Sequence, residues 1–387
     1  MMSVRNKLKT LALTGVALGM TAAALPAGAT GTAAGTSITN RAVVSYSVGG
    51  VTQTSINSSP TGNSTPGVGS AFGADTAFVV DRLVNFTLTT VDTAAVSGTP
   101  GQTLLVTTFL VTNTGNDKEG FALSAANLVG GTVFSGGATN TDTIDMANVK
   151  VYYGPDATSA YNSGTAVLGN PDNLAADAGR RLFVVADLPV AARNADGANV
   201  RLTAKAAVAG SAGATLETAT NAADTAGAVD VVVSAAVAST TAGVTTSLRT
   251  SDSGYTVSAP TLTVTKGEVV ISDPVNGTTN PKAIPGAVVE YTLTIVNTGA
   301  TAANGVAFSD PLAAQLSLAQ NVYNTNQNVT ITVGASTRYC TAEAGADTNT
   351  DGCVFSGSAL SVNPATPIVI PTGANNTAIV KYRATIN

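Results

Sequence analysis

The chain is 387 residues long, with a formal net charge of −5, 11% charged residues, 5% aromatics, and neither His nor Trp. The absence of His excludes Ser-His-Asp and Cys-His catalysis, and an acidic balance with few Lys and Arg argues against nucleic acid and anionic membrane surfaces, which both need basic patches. What remains is the Thr-, Ala-, Gly- and Val-rich profile of an extracellular β scaffold, long enough for two or three domains.

Residues 1–29 read as a secretory signal peptide: Arg5, Lys7 and Lys9 precede an apolar run over 11–25 and then Ala27-Gly28-Ala29. That run, about 15 residues, falls short of the ~20 that span a bilayer, so membrane insertion is not expected. The protein is expected to be secreted and to act extracellularly or at a cell surface. Residues 30–57 are predicted to form a β-hairpin arm, because Ile38, Ala42, Val44, Tyr46 and Val48 share one face and Gly49-Gly50 supplies a turn before Val51. Ser, Pro, Thr and Gly then dominate 58–75, the composition of a flexible linker.

A first β-sandwich domain is predicted over 76–260. Residues 84–89 alternate apolar and polar, as in a strand with one face in a core. The run 104–111 is apolar on both faces and predicts a central, doubly covered strand. Further strands are expected at 149–153, 182–186 and 200–208, the last with Val200, Leu202, Ala204, Ala206 and Val208 opposing Arg201, Thr203 and Lys205. The Ala-rich stretch 209–258 is interrupted by Gly, Thr and Val, which favours strand and loop over helix.

Alternation resumes at 261–266 and 288–296, with Tyr291, Leu293 and Ile295 predicted inward and Glu290, Thr292 and Thr294 outward, opening a C-terminal domain over 261–387. A repeat links the two blocks: Pro100-Gly101 leads to Asn113-Thr114-Gly115, and Pro285-Gly286 leads to Asn297-Thr298-Gly299. The expected fold is therefore all-β: tandem immunoglobulin-like, Greek-key β-sandwiches preceded by the hairpin arm.

The stretch from Ile284-Pro285-Gly286 through Tyr291-Thr292-Leu293, Asn297-Thr298-Gly299, Ala303, Val306 and Ser309-Asp310-Pro311-Leu312 resembles a conserved-repeat surface module, domain of unknown function eleven. Gly35-Thr36-Ser37-Ile38-Thr39-Asn40, Val80-Asp81-Arg82 and Phe183-Val184-Val185-Ala186-Asp187 resemble exported proteins that carry such modules. The resemblance implies an immunoglobulin-like sandwich in a bacterial envelope or surface protein and supplies no catalytic residues.

Cys340 and Cys353, close together in an exported chain, are expected to form a disulfide rather than a metal or redox site. Between them, Asp347-Thr348-Asn349-Thr350-Asp351-Gly352 copies the first half of a calcium loop, which makes Asp347, Asn349 and Asp351 candidate ligands and calcium the candidate cofactor. Ser358 stands where a bidentate Glu would complete the loop, so an acidic turn without metal is the alternative. Lys266, Glu290 and Asn387 fall in the order of an internal Lys-Asn crosslink, against a reading as solvated surface residues. Asp81, Asp273, Glu290 and Asp310 offer carboxylates, but no spacing enforces the roughly 5–10 Å pairing that a hydrolase needs. Asn85, Asn276 and Asn328 sit in Asn-x-Thr sequons.

No enzyme activity is expected. The leading functional expectation is a surface structural protein that pairs strands with copies of itself or with other surface proteins, the arm adding to a neighbour's open sheet edge. A monomeric adhesin or carbohydrate-binding module, and then a β-sandwich hydrolase, are the alternatives. The alternative, which short-range closure favours, is that the arm folds back to complete its own first sandwich.

Overall fold

The computed structural model describes residues 31–387 apart from 135–140, 221, 235, 239–244, 321, 324 and 326, and the expected signal peptide lies outside the described residues. Among these the chain is all-β, with a single 3-10 turn at Gly373–Asn375. No described helix is long and apolar enough to cross a membrane.

The arm comprises β1 (Ser37–Asn40), β2 (Val43–Val44), β3 (Ser47–Val48), β4 (Val51–Thr52) and β5 (Ile56–Asn57), followed by β6 (Thr76–Val79). β3 pairs with β4 and β2 with β5, both antiparallel. Gly49 and Gly50 take φ of +58° and +83°, the two positive values a type I′ turn requires. β1 pairs with β6 and roots the arm. Residues 58–75, expected as a linker, run through turns bonded to the hairpin's base: Ser58 N donates to Ala42 O and Ala74 N to Ser58 O, the Asn57 side-chain amide reaches Gly69 O and Phe72 O, and Arg41 pairs with Asp75 at 2.7 Å.

The first sandwich runs through β7 (Arg82–Val84), β8 (Phe86–Thr90), β9 (Val96–Gly98), β10 (Leu105–Asn113), β11 (Gly120–Asn127), β12 (Ala147–Tyr153), β13 (Val167–Leu168), β14 (Gly179–Asp187), β15 (Gly197–Ala207), β16 (Val231–Val233), β17 (Ala236–Ala238) and β18 (Thr245–Val257). One sheet has the order β13-β12-β14-β10-β8, the other β11-β15-β18-β17, with β9 parallel to β18. In immunoglobulin lettering β12-β14-β10-β8 are D-E-B-A, facing β11-β15-β18 as C-F-G, with β9 as the strand that crosses from A to G. The core lies between the sheets, where Phe86, Phe109, Val111, Leu182 and Val184 meet Phe121, Val200, Leu202, Ala204 and Tyr255. β15 alternates as its sequence predicts, Arg201 exposed between buried Val200 and Leu202. β10 is central but covered on one side only, its residues alternating buried and half-buried, because only the facing sheet packs on it.

The second sandwich comprises β19 (Leu262–Ser272), β20 (Val288–Asn297), β21 (Ala303–Val306), β22 (Phe308–Pro311), β23 (Leu316–Leu318), β24 (Val329–Val333), β25 (Ser336–Cys340), β26 (Glu343–Ala344), β27 (Cys353–Ser356), β28 (Ala359–Val362), β29 (Ile368–Ile370) and β30 (Thr377–Ile386). Its main sheet is β19-β20-β30-β24-β25, with β23 also on β30. Over it lie β22-β28-β27-β26 and the pair β21-β29. The core residues include Ile295, Val329, Ile331, Leu360, Val362, Val380 and Tyr382.

The repeat seen in the sequence is structural. Asn113 ends β10 and Asn297 ends β20, and each is buried. Both Oδ1 atoms accept from the amide of the glycine two residues on, Gly115 or Gly299, at 3.0 Å. Both Nδ2 groups donate to the carbonyl four residues on, at 2.8 Å, and to Leu174 O or Ile370 O. Glu119 bridges Leu174 as Ala303 pairs with Ile370. These matches make β19, β20, β24 and β30 the A, B, D and E strands of the second sandwich, and β21 with β22 its C strand.

Candidate assembly surface and acidic loop

The arm hairpin presents one apolar face. The period-2 direction of strand side chains places Val44, Tyr46 and Val48 together, with Val51 opposite Val48 and Ile56 opposite Val44. This face is in solvent: Val44 is 58% exposed, Val48 62% and Val51 65%. Among the described residues β2 to β5 form ladders only with one another, and Ile56 of β5 also bridges Gly67 in parallel. No charged residue lies between Arg41 and Asp75.

The acidic loop spends its oxygens on its own backbone. Asp347 accepts from the amides of Asp351 and Gly352, and Asn349 Oδ1 also accepts from Asp351 N. Asp351 accepts from Thr341 N at 2.7 Å and Cys353 N at 2.9 Å. Glu343 caps Thr348 through its amide and hydroxyl and also takes Asn349 N; the Thr348 hydroxyl is foremost in holding this carboxyl below its usual range. Thr350 and Gly352 adopt left-handed φ of +59° and +84°. Asp347, Asn349 and Asp351 are thus brought together by Asx-type turns, and each is already occupied by a hydrogen-bond donor. Cys340 and Cys353 are disulfide-bonded with Cα atoms 6.0 Å apart. Asp351 lies beside them, but the sulfurs are not thiolates and offer no metal ligand.

The other candidates disperse. Lys266 pairs with Asp310 at 2.6 Å, Glu290 with Lys381 and Arg383, and the Asn387 side chain bonds Ser317 and Ala314, so no Lys-Asn crosslink site is assembled. Burial pushes the Glu290 carboxyl up, yet the bonds from Arg383 and Lys381 outweigh it and hold it low. Asp310 also accepts from the Tyr382 hydroxyl. Asp273 is lowered to about 2 by backbone amides, Asn276 foremost. Asp81 accepts from Asp230 N. These four carboxylates serve separate local structures rather than one cleft.

Sequence reading missed two features. Arg82 lies between two buried acids, 2.7 Å from Glu217 and 3.3 Å from Glu119; three residues so far apart in sequence carry no local signal. The other is the half-covered β19–β20 end of the second sandwich's inner face. Tyr291 and Leu293, predicted inward, are only half-buried beside buried Ile295, and β19 is exposed along its first eight residues.

No family model matches the chain, and no curated protein does. Among solved structures it is similar to the class 5 fimbriae chaperone CfaA, at 9% identity and TM-score 0.22 over 76% of this chain and 87% of that one. A chaperone–tip adhesin complex of CFA/I fimbriae follows at 10% identity and TM-score 0.21, over 76% and 90%. The collagen adhesin CNA from S. aureus follows at 13% and 0.18, over 79% and 81%. TM-scores at this level define no common topology.

Proposed function

We propose that this chain is a non-catalytic structural protein of the bacterial cell surface, exported by its N-terminal segment, that assembles into a filament or layer by lending its hairpin arm to a neighbour. The observation that carries the reading is the solvent-facing apolar side of that arm: Val44, Val48 and Val51 are each more than half exposed on a preformed hairpin. Burying apolar surface returns roughly 25 cal/mol per Å², and exposed apolar patches mark interaction sites. Strand addition to an open sheet edge suits such an element, since main-chain bonds supply affinity and alternate side chains supply fit. The resemblance of the C-terminal block to a conserved-repeat surface module supports the cell-surface setting.

Negative-stain microscopy and sedimentation of residues 30–387 test this, with wild type set against V44D/V48D. Substitution is preferable to deletion because β1 also pairs with β6. Wild type forms concentration-dependent polymers and the variant stays monomeric. Dispersed particles of wild type at every concentration would remove the proposal and turn attention to a monomeric adhesin or carbohydrate-binding module, followed by glycan retention.

A further inference from the structure

We infer that β19 is an interaction edge for a second copy of this chain, the two β19 strands pairing antiparallel about a two-fold axis through Gly267. The contact is separate from the arm and goes beyond the arm-driven reading above.

β19 is 11 residues long and lies at the end of its sheet, bonded to β20 and, among the described residues, to nothing on its other side. That position belongs to the fold, since its counterpart β8 also ends its sheet in the first sandwich. A long open edge invites pairing with another chain and is ordinarily shortened or covered. Other edges here are so treated: β8 and β25 have five residues, β17 three and β13 two. Along β11, the amides of Glu119 and Phe121 bond Leu174 O and Pro171 O, and Leu123 N bonds the Asn170 side chain. β19 has no such cover and no Pro, and its first eight residues are exposed.

The ladder fixes which residues face outward. Thr298 N donates to Thr261 O, whereas Asn297 N turns the other way, to Asn376 O beside β30. An antiparallel strand aims successive residues at alternate neighbours. Thr263, Thr265, Gly267 and Val269 therefore bond β20, and Leu262, Val264, Lys266, Glu268 and Val270 present N–H and C=O to the open edge. Two copies bond only where outward residues stand opposite outward residues, a condition met by registers centred on Lys266, Gly267 or Glu268. The first sets Lys266 against its own copy and the last sets Glu268 against its own, and like charges directly opposite destabilise a pair. Centred on Gly267, each Lys266 faces Glu268 of the other copy, and each Val264 faces Val270.

The side chains fit that register. Glu268 is exposed and forms no ion pair within its own chain. Lys266, its side chain 40% exposed, is held by Asp310 at 2.6 Å with its ammonium 4.7 Å from the Tyr291 ring centre, and an ammonium has donors left for a second carboxylate. Pairing closes two crossed ion pairs on one face and brings Val269, 64% exposed, beside Thr265 on the other. Gly267 at the axis permits close approach, since even an added side chain there meets nothing within 4 Å. Such a contact is isologous and stops at the dimer. Isolated chains pair weakly through one strand edge; where the arm also links copies, the same edge joins one row of subunits to the next.

Disulfide trapping in full-length V44D/V48D, where the arm plays no part, tests the contact. G267C places its thiols together on the axis in a non-hydrogen-bonded pair, whereas T263C, exposed on the same face, places them far apart. Under oxidised glutathione G267C should form covalent dimers at least about 10-fold faster than T263C, and adding E268K, which sets Lys against Lys across the axis, should slow trapping about 10-fold. Thermal melts verify that each variant folds, and peptide mapping verifies that the Cys340–Cys353 bond is intact. G267C that traps no faster than T263C overturns the contact. Trapping that E268K leaves unchanged overturns the register centred on Gly267, and with it the inference.

Discussion

Glu119 and Glu217 share one guanidinium, and that shortage of positive charge should be visible in the pH dependence of the first sandwich. Burial, opposed by Arg82 and reinforced by Glu217, pushes the Glu119 carboxyl up to about 8 from an ordinary 4.5. Between those values the folded state keeps a proton that the unfolded chain has released, so stability is full at the acidic end and declines as pH rises through 8. The loss is on the order of a few kcal/mol, and the first sandwich should melt several degrees lower at about pH 9 than at about pH 5. E119Q, neutral throughout, should flatten that slope; an unchanged slope would assign it to another group. Asn297 makes a second residue-scale case. Its amide accepts from Gly299 N and Thr261 N and donates to Thr301 O, Ile370 O and Pro371 O, and N297A removes the partner from all five backbone groups, a cost of about 2–4 kcal/mol. The second transition of a calorimetric scan should fall and the first stay in place, with N113A doing the reverse.

At the scale of elements, the disulfide joins the end of β25 to the start of β27 and closes a separation of 13 residues. Such a loop is worth about 3 kcal/mol, so C340S/C353S should lower the melting of the C-terminal sandwich by roughly 10 °C. Added calcium should not restore it if the Asx turns hold the loop by themselves; recovery of the melting temperature in calcium would mean that Asp347, Asn349 and Asp351 exchange amides for a cation. Long alternating strands were readable from sequence, β15 and β20 above all, because one buried face imposes period two. β26 to β29 were not, being two to four residues long and separated by glycine turns at Gly345, Gly352 and Gly357 with positive φ. The disulfide and the arm were legible, since both rest on local signals. The acidic loop was half legible: its composition suits a cation, but only the fold reveals that Thr341 and Cys353 amides occupy Asp351.

For the molecule as a whole, the mismatch between sequence and burial is the informative feature. β19 and β20 are patterned for a core, with Leu262, Val264, Tyr291 and Leu293 on one face, yet that face is left half in water. A face left half in water buries less apolar area per ordered residue, and the stability of this sandwich should depend on whatever covers that face. Anything that binds the folded form and not the unfolded one raises the apparent stability by RT ln(1 + [L]/Kd). The second thermal transition of wild type should therefore climb with protein concentration where a second copy's arm covers that face, by ~2.7 kcal/mol once free arm stands about 100-fold above its dissociation constant, while the first sandwich, whose inner faces are covered, melts at a fixed temperature. A synthetic peptide spanning residues 42–57 should reproduce the shift in V44D/V48D, whose own arm no longer presents its apolar face. If the peptide stabilised the first sandwich instead, the arm would be completing its own neighbouring domain, and the half-covered C-terminal face would need a different partner.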